Sequence, residues 1–274
     1  MSEYDVSDLD DIQPDKLKML IHGNQGHGKT TLAFSIAEKC KTVVVDLPGE
    51  KGLKSIKSVP YSKNIKVIRP KEVGQLDDIF WDLQTDSGAV KGAEAVVLES
   101  ASAYQKMVLR MLMDNPENKV RAIDKSVRMA DQQTWGKALE FMTDLCTFWY
   151  GLADITSANP MHVIFTCQTK RIEDEETGDL IAIPDVSAGS RGPLLANPDY
   201  IGYCYVERDF ETDDPDEERW TYRVRFGPHE TVATKIHESI EVNEALMKKG
   251  GSLGGNGKKK LTIPKFTRMF NIPL

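Results

Sequence analysis

The run Gly23-Asn24-Gln25-Gly26-His27-Gly28-Lys29-Thr30 matches the pattern G-x-x-x-x-G-K-[ST], and it constrains the fold more than any other stretch of the chain. The pattern has physical content only between a buried strand and a helix, because its backbone N–H groups must converge on one anion. Both flanks meet that requirement. Residues 17–22 are short and apolar-rich, as a buried strand is, and Leu32, Phe34 and Ile36 are spaced to face a sheet from a helix. A glycine turn ahead of an unrelated helix would carry neither flank. The glycines let the backbone wrap a phosphate, and the helix start adds a partial positive charge. Lys29 then reaches the β- and γ-phosphates, and Thr30, followed by Thr31, offers its hydroxyl to Mg2+. Residues 23–31 therefore predict a nucleoside triphosphate site.

The chain has 274 residues, enough for one large α/β domain with appendages. Its 40% apolar and 28% charged content is that of an ordinary globular protein. No apolar run of about 18 residues is present, so no membrane partner is expected. The acidic start, residues 1–11, lacks the basic-then-apolar order of a signal peptide. The four cysteines, Cys40, Cys146, Cys167 and Cys204, show no C-x-x-C spacing, which weighs against metal and disulfide frameworks and points to a cytoplasmic protein. The net charge of −7 does not advertise nucleic-acid binding, yet its distribution is uneven. Acidic residues crowd into 173–179 and 207–218, and lysines collect at 248–249 and 258–260. A local basic loop on an acidic protein can still meet DNA, with little help from the overall field.

Residues 1–15 read as a disordered acidic arm. From Leu17 onward apolar bursts alternate with helical patterns, which predicts an α/β fold of P-loop NTPase type, a mainly parallel central sheet flanked by helices. The bursts are 17–22, 42–45, 65–68, 95–98 and 162–167. A helix is expected near 73–83 and a long helical region over 101–155, broken around Asn115-Pro116-Glu117-Asn118, part of it forming a lobe. Its second half repeats Leu139, Met142, Leu145, Phe148-Trp149 and Leu152 at helical spacing, the pattern of packing against a sheet. Antiparallel hairpins are expected towards the C-terminus: one over 169–183 around Glu176-Thr177-Gly178-Asp179, another from 201–208 and 219–226. Between them, residues 185–198 read as an irregular, Ser/Gly/Pro-rich loop. The main domain is thus placed at 16–240, and 241–274 is read as a flexible Gly/Lys-rich linker and tail. That tail, 258–274, is short and sticky, suited to a protein partner or a neighbouring subunit, or else frayed.

Three strand ends offer partners for the phosphate loop. Ala95-Val96-Val97-Leu98 runs into Glu99, an acidic residue placed to hold Mg2+ or to activate water. Val43-Val44-Val45 ends in Asp46, with Glu50 on the loop that follows; either could orient water, and Asp46 could equally serve a turn before Pro48-Gly49. Val163–Cys167 ends in Gln168, whose amide can bond a γ-phosphate or the attacking water. Lys170 and Arg171 follow it, as fingers on a neighbour's nucleotide, as contacts to DNA phosphates, or as an ordinary charged hairpin surface.

In this order the pieces resemble the RecA-like recombinase core. More narrowly, they resemble phage-encoded nucleotide-binding proteins of the AAA/RecA-like class implicated in single-strand annealing and recombination. The likeness runs from about residue 16 to 226 and is carried by 23–31, by 43–46 with a nearby Glu, by 96–100, and by 165–168 with the loop and strands after it. It implies ATP and Mg2+ as cofactors, Glu50 as catalytic residue, Gln168 as nucleotide sensor, and DNA contacts within 169–198, where Arg191 joins Lys170 and Arg171. It also implies single-stranded DNA and further copies of the chain as partners, and repair or recombination in a host cytoplasm. No N/T-K-x-D signature follows the core strands, which fits ATP over GTP on the same ground. Two departures stand beside the phosphate: Pro48 occupies the place of the usual Glu two residues after Asp46, and Glu99 replaces the usual Asp. A nucleotide-switched loader or packaging partner with slow hydrolysis, and a small-molecule P-loop kinase, are the alternatives.

Overall fold

Five strands run parallel beside the loop-bearing strand, because each returns through a helix or long connection rather than a tight turn. The computed structural model describes residues 15–49, 52–55, 59–115, 121–124, 127–175, 177–208, 220–227, 229–236, 251–254, 261–269, 272 and 274. The strands are β1 (Lys18–Gly23), β2 (Thr42–Asp46), β3 (Ile65–Ile68), β4 (Ala95–Glu99), β5 (Arg121–Asp124), β6 (Val127–Met129), β7 (His162–Glu173), β8 (Leu180–Pro184), β9 (Tyr200–Arg208), β10 (Trp220–Arg225), β11 (Lys235–Ile236) and β12 (Gly251–Gly254). The α-helices are α1 (Lys29–Phe34), α2 (Gly74–Gln84), α3 (Ala101–Asp114), α4 (Gln132–Gly151), α5 (Ala188–Ala196) and α6 (Ile263–Met269). The main sheet is ordered β12-β10-β9-β1-β7-β4-β2-β3. It is parallel from β9 across to β3 and antiparallel at β9–β10 and β10–β12. The α/β fold expected from the apolar bursts is the one observed, and each of the five bursts is a strand of the parallel part.

β1, β2, β4 and the first half of β7 are buried on both faces, which is why they read as continuous apolar runs rather than alternating ones; β3, at the edge, is only partly covered. On one face Leu20, Val43, Val45, Val96, Leu98, Val163 and Phe165 pack with α2, α3, α4 and α5. On the other, Met19, Ile21, Val44, Val97 and Ile164 pack with α1 and α6. The stripe on α4 is buried at Met142, Leu145 and Trp149, whereas Phe148 is 57% exposed and lies outside it. All four cysteines are buried and free, and burial pushes the thiols of Cys146 and Cys204 up to about 12.

The structure corrects four expectations. The helical region 101–155 is two helices, α3 and α4, with the antiparallel pair β5–β6 between them. Residues 185–198, expected as an irregular loop, carry α5. Its start is held by a partner from another element: Gln105 Nε2 donates to Ser187 Oγ and to Ser190 Oγ at 2.8 Å, and the Ser187 N–H donates to Gln105 Oε1 at 2.9 Å. With Leu194 fully buried, tertiary packing overrides a composition poor in helix formers. Within the stretch read as a flexible linker, β12 extends the sheet against β10. The tail, read as partner-binding or frayed, packs on its own chain over 261–269. Ile263 and Phe266 are fully buried, the Phe266 ring lies 5.2 Å from Tyr200 and 4.6 Å from Phe226, and the Ile263 N–H donates to Ser35 Oγ at 2.7 Å. The acidic arm up to residue 14 and the lysines at 248–249 and 258–260 lie outside the described residues.

Two buried histidines make stability depend on pH. His162 Nδ1 accepts from the Leu17 N–H at 3.0 Å, and His22 Nε2 lies 2.6 Å from the Ala233 carbonyl, to which it must donate. The acceptor role of its Nδ1 makes the His162 ring neutral, and burial pushes both rings down to about 4 from 6.5. The unfolded chain binds more protons than the native one between these values. The stabilisation is thus present above pH 6.5 and lost as pH falls towards 4. Going from pH 7 to pH 5 should remove about 2 kcal/mol per histidine. Urea unfolding at the two pH values checks this; His162→Gln should flatten part of the difference, and equal stability of the parent chain at both would contradict it.

Candidate functional site

The phosphate loop connects the end of β1 to α1. Gly26 and Gly28 have φ of 80° and 86°, and nothing lies within 4 Å of a Cβ built on Gly26. Glycine is required there by the left-handed backbone, not by crowding. The loop is pinned at both sides. The Leu32 N–H donates to the Gly28 carbonyl at 2.9 Å, opening α1, and His27 Nδ1 donates to the Cys204 carbonyl at 3.2 Å, tying the loop to β9. Burial lowers the His27 pKa, which keeps that ring neutral. Asn24 serves through its carbonyl, Gln25 is exposed, and Thr31 is half-buried.

Lys29 is 5% exposed, and its ammonium donates to the Gly23 carbonyl at 2.8 Å, the Asn24 carbonyl at 2.9 Å and Gln168 Oε1 at 3.3 Å. These neutral oxygens stand where phosphate oxygens would bind more strongly, since a charge-assisted bond is about twice a neutral one. The Lys29–Gln168 contact follows from the strand order. β7 lies between β1 and β4, and Gly23 is in register with Gln168.

The same order brings Glu99 to Thr30. Thr30 Oγ1 donates to Glu99 Oε1 at 2.8 Å, and Thr166 Oγ1 donates to Glu99 Oε2 at 2.9 Å. Glu99 is 2% exposed, a burial a carboxylate tolerates only with such donors. With its O–H directed at Glu99, the Thr30 hydroxyl oxygen presents its lone pairs to a cation. Gly52 completes the wall: a Cβ there would stand 2.8 Å from both Glu99 Oε1 and Thr30 Oγ1. Among the described residues no group of three or more His, Cys, Asp or Glu is set to hold a metal. A hydroxyl and a carboxylate fit Mg2+, which takes most of its remaining shell from substrate phosphates and water. Thr30 and Glu99 are the residues that would hold it.

Other expected residues are placed elsewhere. Asp46 accepts from Arg69 Nε at 2.9 Å. Glu50 lies outside the described residues. Gln168 is clamped by its backbone: its N–H donates to Ser102 Oγ at 3.1 Å, and its carbonyl accepts from the Asp185 N–H at 2.7 Å. Lys170 turns back to donate to the Val186 carbonyl at 2.7 Å, with Asp185 Oδ1 at 3.6 Å. Arg191 lies on α5 with its Nε buried and without a hydrogen-bond partner among the described residues. Arg171 is the exposed member of this trio. Thr166, Gly52 and Ser102 belong to the site and were not expected. The signal for Thr166 was available, a hydroxyl two residues before Gln168 in an apolar strand; Gly52 and Ser102 had none.

A parallel sheet, a glycine loop between its strand and helix, and a buried Thr–Glu pair across an inserted strand define a P-loop NTPase. The family model of the AAA domain matches residues 15–238, and the chain belongs to that family. It is accordingly a nucleotide-binding P-loop NTPase of the AAA type; β12 and α6 lie beyond the matched span. No curated protein matches the chain. No helix among the described residues is long and apolar enough to cross a membrane.

Proposed function

We propose that this chain hydrolyses ATP with Mg2+ and acts on single-stranded DNA, in annealing, strand exchange or recombination, working as several copies. The observation that carries the reading is the contact of Lys29 with Gln168. It joins the phosphate lysine to an amide that leads directly into the β7–β8 hairpin, so a change at the γ-phosphate reaches the surface through one residue. In this reading Lys29 and the loop amides bind the triphosphate, Thr30 and Glu99 hold Mg2+, Gln168 senses the γ-phosphate, and Glu50 or Glu99 orients water. Mg2+ would supply charge neutralisation of the phosphates. A second reading, a nucleotide-operated switch with slow hydrolysis, is favoured by the engagement of both Glu99 oxygens by threonine hydroxyls. Measuring ATP turnover with and without oligothymidylate decides between them. Stimulation by DNA supports the first; turnover and nucleotide affinity both indifferent to DNA would remove it.

A further inference from the structure

Beside the nucleotide site, on the same carboxyl edge of the sheet, lies a cleft of about 710 Å³ between α3 and the connection from β3 to α2. Lys71, Lys106 and Arg110 line it over an apolar floor of Val73, Met107 and Met111. All three cations are exposed, and none forms an ion pair among the described residues. Glu72 and Asp114 also line the cleft, so its charge is concentrated on the Lys106–Arg110 ridge and Lys71 rather than spread evenly. A second hollow of about 500 Å³ shares Pro48, Gly49 and Lys71 with it and adds Arg69, whose charge Asp46 offsets. The two hollows adjoin through these shared residues and are open to solvent, an open trough rather than a closed pocket.

The shape and the spacing select the ligand. Lys106 and Arg110 are four residues apart, on one face of α3 and about 6 Å apart along its axis. Two neighbouring phosphates of one extended strand can match that separation. The floor offers bases apolar, adaptable contact from Met107 and Met111 without an aromatic stacking platform, so the hold on the strand comes mainly from the cations on its backbone. A small phosphorylated acceptor would call for an enclosing pocket instead. The trough is also tied to the nucleotide at both ends. α3 starts directly after Glu99-Ser100, and Pro48-Gly49 belong to the segment that brings Gly52 onto the Thr30–Glu99 pair. On the hairpin, by contrast, Lys170 is turned back onto the Val186 carbonyl and leaves Arg171 as the exposed cation, and on α5 the Arg191 Nε is buried.

We infer that this trough holds the backbone of a single-stranded nucleic acid, with Lys71, Lys106 and Arg110 pairing its phosphates. The inference rests on the DNA-dependent reading above and places the strand away from the hairpin. The test is binding of labelled oligothymidylate, with Mg2+ and a non-hydrolysable ATP analogue, across a salt series. The double variant Lys106→Gln/Arg110→Gln should bind at least about tenfold more weakly at low salt, and its log K against log salt slope should fall by about 1.4. Lys71→Gln, on a different element, should move both in the same direction. Analogue affinity, unchanged in either variant, reports an intact fold. If the cleft variants keep parental affinity and slope, the trough assignment is overturned; loss in Arg171→Gln alone would put the strand on the hairpin and leave the DNA-dependent reading standing. If the parent chain binds no oligothymidylate, the reading itself falls, and the trough with it.

Discussion

Lys29→Ala is expected to raise the dissociation constant for ATP by about 100-fold or more. The ammonium is almost wholly buried and held by the Gly23 and Asn24 carbonyls and Gln168 Oε1. Bound phosphate would replace neutral acceptors with charged ones, and each such bond contributes about 1.5–3 kcal/mol. Two of them lost correspond to a factor of about 100 or more, at 1.4 kcal/mol per tenfold. The substitution also frees the Gln168 amide from its contact with the loop, so any response of the hairpin to nucleotide should vanish. Titration calorimetry with ATP and Mg2+ measures the first effect. Thermal unfolding checks it independently, because a ligand that binds only the native state raises the midpoint. Equal ATP affinity in the variant and the parent would remove the loop from the binding site.

Glu99→Gln should reduce the apparent affinity for Mg2+, and turnover with it, by about 10- to 100-fold, the range for groups that orient a metal's ligands. The shape is kept, and an amide oxygen can still accept from Thr30, so the fold should survive. The buried negative charge next to the cation is lost, and Thr166 must turn its hydroxyl to meet an NH2 group. Raising Mg2+ should recover part of the turnover. Loss of turnover of about 100- to 10,000-fold with unchanged Mg2+ dependence would instead assign Glu99 as the general base. That outcome would also make the length of the glutamate, where Asp is usual, a feature of water activation rather than of metal holding.

Much of the parallel sheet was legible because strands covered on both faces must be apolar throughout, and the bursts at 42–45, 95–98 and 162–167 have no other economical explanation. Glu99 and Gln168 were legible as polar residues ending such strands. Thr166 was not, since a threonine inside a strand reads as ordinary β-propensity until its hydroxyl is seen on Glu99. Gly52 was hidden because its requirement is the approach of a distant pair, Thr30 and Glu99, and not its own turn. The apolar residues at 263–272 left the tail's fate open between docking on a partner and fraying. Its packing on its own chain depended on the space beside Ser35, Tyr200 and Phe226. α5 failed as a sequence reading for the same reason: its start is held by Gln105 of α3.

The phosphate loop was determined locally. Glycines at 26 and 28 set backbone angles, Lys29 and Thr30 follow at the start of a helix, and each of these steps depends on neighbours a few residues away. The strand order was decided by the tertiary structure alone, because pairing between parallel strands joins segments far apart in the chain and leaves no local trace. Placing β7 between β1 and β4 is what lets one buried centre hold Lys29 against Gln168 and Thr30 against Glu99. Without that order the same residues would end three strands and meet nothing.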